Sequence, residues 1–228
     1  MRKFWNFKSQ GDERVLRLDG VISDETWLGD ETTPKIFASE LNADDGDITV
    51  WINSEGGDVF AAAEIYNMLK AYQGKVRVKI DAVAFSAASM IAMAGDTIEI
   101  SPVGMIMIHN PFSIVEGDAE ELKTAAKMLD EVKESIINAY ELKTKLPRAR
   151  LAKMMDDETF IHAYKAIELG FADKIIGNQQ SAGTTANLSS RRRILNSLRA
   201  ALKKPASIKP SPPSETDVEK MRRRLFLY

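Results

Sequence analysis

Five residues, Ser54-Glu55-Gly56-Gly57-Asp58, constrain this chain more than any others, because two patterns of different period meet there. Before them Ile48, Val50 and Ile52 alternate with Trp51 on the opposite face, which is the period of a strand. After them Ala61, Ala62, Ala63, Ile65, Met68 and Leu69 recur at helical spacing. Two adjacent glycines let the backbone turn sharply and approach a ligand where a Cβ would obstruct it. Strand, tight turn and helix are therefore predicted in that order.

The same grammar continues along the chain. Val15 to Ile22 reads as an opening strand, Ile36 to Leu41 as a short helix, and the glycine helix runs to about Ala71. Val76, Val78 and Ile80 alternate in a strand that continues toward Phe85. A second strand-to-helix junction follows at Phe85-Ser86-Ala87-Ala88-Ser89-Met90, with a small-residue helix through Met93. Ile98 and Ile100 form a short strand, and Met105 to Ile108 form another that delivers His109. Residues 118–145 carry the strongest helical signal, with Leu122, Leu129, Val132, Ile136, Ile137 and Tyr140 on one stripe. A second helix spans about 148–155, then the acidic turn Asp156-Asp157-Glu158 leads to a helix at 163–169. Strands alternating with helices predict an α/β fold built on parallel βαβ units, whose crossovers bring strand ends to one edge.

Charge divides the sequence of 228 residues unevenly. Residues 1–180 carry 20 Lys and Arg against 30 Asp and Glu, and residues 181–228 carry 11 against 3. An acidic body argues against nucleic-acid binding as its purpose. The absence of cysteine excludes disulfides and thiolate catalysis and fits a reducing, cytoplasmic setting. No apolar run reaches the roughly 20 residues of a membrane span, and no secretory signal or membrane association is expected. The domain reading is an N-terminal arm at 1–14, a body at 15–178 and a flexible, basic, proline-rich extension at 179–228.

A serine hydroxyl needs a base to become a nucleophile, and imidazole titrates near neutrality. Only His109 and His162 compete for that role, and His162 sits where it could simply cap a helix. Ser89 lies where a buried strand has become a helix, its hydroxyl able to face a crevice. Ser86 is its local rival, nearer the strand end and placed to cap the helix instead. The N–H groups of Gly57 and Met90 would supply two donors to a developing oxyanion, each worth about 3 kcal/mol. A third, acidic group should orient the imidazole, and Asp156, Asp157 and Glu158 are the candidates, each equally at home as a solvated turn residue.

Four words in this order, Ile52-Asn53-Ser54-Glu55-Gly56-Gly57-Asp58, Ser86-Ala87-Ala88-Ser89-Met90, Met107-Ile108-His109-Asn110-Pro111 and Ala166-Ile167-Glu168-Leu169-Gly170-Phe171-Ala172-Asp173, resemble the Clp protease proteolytic-subunit family, a serine peptidase family, and its phage prohead-protease-like branch. The resemblance covers about Val15 to Ile176. It implies a Clp protease/crotonase-like α/β fold with repeated ββα units, a parallel sheet and a long handle helix at 118–145. It implies a serine-type endopeptidase with Ser89 as nucleophile, His109 as base, Gly57 and Met90 as oxyanion donors, and no metal or other cofactor. The family's catalytic aspartate falls on Glu158, with Asp157 beside it, and its Ser-Pro-Gly-Gly word carries Glu55 in place of proline. Further implications are a homo-oligomeric ring, heptameric or stacked, a peptide or unfolded-protein substrate, and an ATPase or a phage scaffold or capsid partner at procapsids.

Two other functions fit the sequence words less fully. A crotonase-like acyl-CoA enzyme would aim the same backbone donors at a thioester and use carboxylates rather than the serine and histidine. A structural ring protein would keep the fold without the chemistry.

Overall fold

A mixed sheet forms the centre of the computed structural model, which describes residues 4–10, 13–23, 34–43 and 45–176. The chain divides into two units, Met1–Gln179 and Gln180–Tyr228. The second, which contains nearly all of the expected C-terminal extension, lies outside the described residues.

In chain order the elements are β1 (Trp5–Gln10), β2 (Glu13–Ile22), α1 (Pro34–Leu41), β3 (Ile48–Gly57), α2 (Val59–Ala71), β4 (Val76–Phe85), α3 (Ala87–Ala92), β5 (Thr97–Ile100), β6 (Met105–Ile108), α4 (Ala119–Thr144), α5 (Arg148–Asp156), β7 (Thr159–His162), α6 (Ala163–Leu169) and β8 (Lys174–Ile175). The sheet order is β1-β2-β3-β4-β5-β8, with β6 joined to β4 and β7 joined to β6. Strands β2 to β5 and β8 run parallel, as the alternation of strands and helices predicts. The sheet is not wholly parallel, because β1 and β7 are antiparallel to their neighbours. No helix among the described residues is long and apolar enough to cross a membrane.

The segment expected as an N-terminal arm contributes a strand to the sheet. Trp5 to Gln10 pairs with β2, Trp5 Nε1 donates to Glu40 Oε2 at 2.9 Å, and the indole packs edge-on against Phe37. Trp5 is only 2% exposed, so these residues belong to the body. Their signal is weak in the sequence because two aromatics two residues apart, followed by Lys8, make too short an alternation to read.

Strand β4 determines where the functional residues gather. Its first half, Arg77 to Ile80, pairs with β5, whereas its last residues, Val83 to Phe85, pair with β6. The change of partner carries the end of β4 alongside the end of β6, and Ser86 N–H donates to Met107 O at 2.9 Å. All six residues of α3, three alanines with Ser89, Met90 and Ile91, are buried, so this short helix packs directly behind that junction.

The glycine word is not a free turn. Strand β3 continues through Gly57, with Gly56 at φ 98° and Gly57 at φ 146°, conformations that a side chain would strain. Ser54 Oγ donates to Gly20 O at 2.5 Å and accepts from Gly56 N–H at 3.1 Å, and Asp58 then caps α2 by accepting from Ala61 N–H.

Candidate active site

His109 follows β6 directly, and its Nε2 lies 2.7 Å from Ser86 Oγ. The expected partner, Ser89, is elsewhere. Ser89 is 0% exposed, and its Oγ bonds to Ser86 O at 2.6 Å and to the Tyr140 hydroxyl at 2.8 Å. The correction follows from the local backbone. Ser86 stands before α3 in a non-helical conformation, φ 53° and ψ −127°, which frees its side chain from the helix, whereas Ser89 lies inside α3 with its hydroxyl turned back onto Ser86 O and Tyr140. Ser86 occupies the corner, and Ser89 points into the body.

Ser86 also carries the backbone signature of a nucleophile elbow. Its φ of 53° and ψ of −127° are strained for a residue with a Cβ, a cost of about 1–3 kcal/mol that the surrounding structure must sustain. The side chain makes no capping bond to α3, so the helix-cap alternative for Ser86 is not realised. The sequence signal that could have found it is its place immediately after Phe85, the last strand residue. Two serines spaced three apart in one word concealed it.

The cleft beside Ser86 is lined by Gly57, Ala87, Met90, His109 and, from α4, Val132 and Ile136. Of the expected oxyanion donors, Gly57 therefore borders the cleft. Met90 borders it too, but it lies four residues beyond Ser86, whereas Ala87 follows Ser86 directly and opens the helix. Gly56 is pressed against the same corner, since a Cβ there would stand 2.7 Å from Phe85 O and 2.8 Å from Ser86 Cβ.

The acidic candidates separate cleanly. Asp156 Oδ1 accepts from Lys133 Nζ at 2.6 Å and from Asn110 Nδ2 at 2.9 Å, and these bonds, the lysine's first, hold its carboxyl below the usual range. Asp157 is turned to Lys153, at 2.8 and 3.1 Å, and does not serve His109. Glu158 is the acid whose charge acts on the imidazole. Burial pushes the His109 pKa below its ordinary value, and the negative charge of Glu158 pulls it back up.

Strand pairing explains this choice. In the antiparallel ladder Ile108 faces Thr159, so the next residues outward, His109 and Glu158, fall opposite one another as the pairing ends. Glu158 adopts a left-handed φ of 47°, which turns the chain out of α5 and into β7. Strand β7 has only four residues with one buried side chain, Ile161, and no sequence period betrays it. His162, the other histidine, caps α6 by accepting from Lys165 N–H and is exposed.

Comparison with known proteins gives a match to the family model for Clp protease over residues 6–179. The chain is 30% identical over 167 residues to an ATP-dependent Clp protease proteolytic subunit of Porphyromonas gingivalis, covering 71% of this chain and 75% of that protein. It is 25% identical over 154 residues to the protein of the same description from Deinococcus radiodurans, covering 67% and 76%.

Proposed function

The chain belongs to the Clp protease family, and from that premise we propose that it is a serine endopeptidase whose nucleophile is Ser86 and whose base is His109. The observation that carries the assignment is the 2.7 Å contact between Ser86 Oγ and His109 Nε2 at a strained elbow facing an open cleft.

With Nε2 accepting from the hydroxyl, the imidazole proton sits on Nδ1, and the charge of Glu158 favours the protonated ring. Ser86 Oγ attacks the peptide carbonyl as its proton passes to Nε2. The imidazolium so formed is stabilised by Glu158 and returns the proton to the leaving amine. Water then repeats the cycle in reverse to release the acyl group. The developing oxyanion is held by the N–H groups of Gly57 and Ala87; with the nucleophile at residue 86, the donor that follows it is residue 87 rather than Met90. The substrate backbone lies extended beside a strand edge, an alignment that tolerates many side-chain sequences. Each step is carried by this chain's own side chains and backbone.

The exposed apolar residues near the cleft, Phe112, Ile114 and Leu122 among them, support assembly into a ring in which α4 meets a neighbouring copy. Native mass measurement should find an oligomer, and a fully active monomer would remove this part of the reading. An ATPase that delivers unfolded chains is the partner such a ring would take. A phage scaffold or capsid substrate rests on the sequence words alone. A crotonase-type activity would leave the Ser86–His109 pair without a use, and an inert scaffold would leave the elbow's strain without one.

The deciding experiment compares Ser86→Ala with Ser89→Ala using a fluorogenic peptide and a serine-directed phosphonate. Ser86→Ala should abolish turnover and covalent labelling, while Ser89→Ala should still be labelled, on residue 86. Labelling that persists in Ser86→Ala would reject the assignment.

A further inference from the structure

Ser89 and Tyr140 take no step in the hydrolysis above, yet they form a bonded chain that ends on the nucleophile's own backbone. A hydroxyl has one proton to give, and a carbonyl can only accept, so the 2.6 Å contact consumes the Ser89 proton on Ser86 O. Tyr140 is then the donor in the 2.8 Å contact with Ser89 Oγ. The direction is fixed: the Tyr140 hydroxyl donates to Ser89, and Ser89 donates to the carbonyl of Ser86. Burial pushes the Tyr140 pKa far up, so the phenol keeps its proton wherever the enzyme works.

The carbonyl at the end of this chain is the one whose orientation sets ψ of Ser86, the strained angle of −127°. The same oxygen also accepts from Ser89 N–H at 2.9 Å, and the N–H of Ser86 is held by Met107 O at 2.9 Å. Residue 86 is therefore pinned on both of its peptide groups. One of the pins comes from 54 residues away in sequence, on the 26-residue helix α4, where the Tyr140 ring packs against Phe171.

We propose that Ser89 and Tyr140 are positioning residues that hold the elbow of Ser86, making the competence of the nucleophile depend on where α4 sits. This rests on the assignment of Ser86 as nucleophile. Donors linked in series polarise one another, so breaking either link weakens the side-chain hold on the carbonyl, while the bond from Ser89 N–H remains. A partner that draws α4 away from the body withdraws the Tyr140 proton and lets the elbow relax. A partner that presses it home keeps the hydroxyl of Ser86 aimed at His109.

The test uses the full-length protein and the variants Tyr140→Phe, Ser89→Ala and the double variant. The readouts are kcat and KM on a short fluorogenic peptide and the rate of labelling by a phosphonate. Each single variant should lower kcat and the labelling rate about tenfold while KM stays within about twofold, because the loss falls on the reacting group and not on substrate binding. The double variant should be no slower than the slower single, since one break already severs the chain. Wild-type labelling rates in both singles, a rise in KM with kcat unchanged, or multiplicative losses in the double would each overturn the proposal. Tyr140→Phe removes one oxygen and keeps the ring, so it decides the matter alone if thermal unfolding shows Ser89→Ala misfolded. Labelling of Ser86→Ala, by contrast, would defeat the underlying assignment and not this coupling.

Discussion

Gly56 offers a direct measure of how closely the glycine word is fitted to Ser86, the proposed nucleophile. A Cβ at this position would stand 2.8 Å from Ser86 Cβ and 2.7 Å from Phe85 O. Carbon atoms in ordinary contact lie about 3.5–4.0 Å apart, so Gly56→Ala requires a displacement of about 0.7 Å or more. Both obstacles belong to the elbow itself, which leaves no flexible side-chain end to swing away. Catalytic groups tolerate about 0.5 Å of error, and a misplacement of about 1 Å costs on the order of a hundredfold. Gly56→Ala should therefore lower kcat/KM by about ten- to a hundredfold. The φ of 98° adds about 1–3 kcal/mol of strain, enough to lower Tm by several degrees. Gly46→Ala separates the two effects, because Gly46 has a φ of 112° but nothing within 4 Å of an added Cβ. Its Tm should fall comparably while kcat/KM on the fluorogenic peptide stays near wild type. Unchanged kcat/KM in Gly56→Ala, or an equal loss in Gly46→Ala, would refute the claim that this glycine sets the position of Ser86.

Further expectations concern acid and core. The imidazole must be neutral to act as a base, and burial lowers its pKa, so the acid limb of kcat/KM should have its midpoint below the usual value of about 6.5. Glu158→Gln removes the charge that favours the imidazolium and should move that midpoint lower still while reducing kcat; a shift upward would contradict the placement of Glu158. The same depressed pKa has a stability counterpart, since below about pH 6.5 the unfolded chain takes up a proton that folded His109 resists, and stability falls as pH drops through the folded value. Trp5→Ala should cost about 3–5 kcal/mol and lower Tm by roughly ten degrees, because the indole is buried and bonded to Glu40; a Tm within about two degrees of wild type would return residues 5–10 to the status of an arm.

Most of the framework could be read in the sequence because its segments are long and periodic. The strands around Val50 and Val78, the helix after Asp58 and the stripe that becomes α4 all lie where their patterns put them. His109 was legible for the same reason, as the residue that ends an apolar run. What could not be read was decided across space. Whether Ser86 or Ser89 meets the imidazole depends on which residue stands at the corner, and composition is silent when both are serines among alanines. The separation of Glu158 from Asp157 depends on the register of β7 against β6, and a strand of four residues leaves no mark on periodicity. Tyr140 was visible only as one apolar member of a stripe; its hydroxyl acquires meaning from a partner 51 residues earlier.

That dispersal along the chain has a consequence for synthesis. A ribosome-bound fragment that has emerged through Phe112 holds Ser86 and His109, but neither the carboxylate of Glu158 nor the phenol of Tyr140 has yet been made. On the proposed assignment, the reacting pair is therefore synthesised before the residues proposed to orient it, and the site is complete only when nearly the whole body has been made.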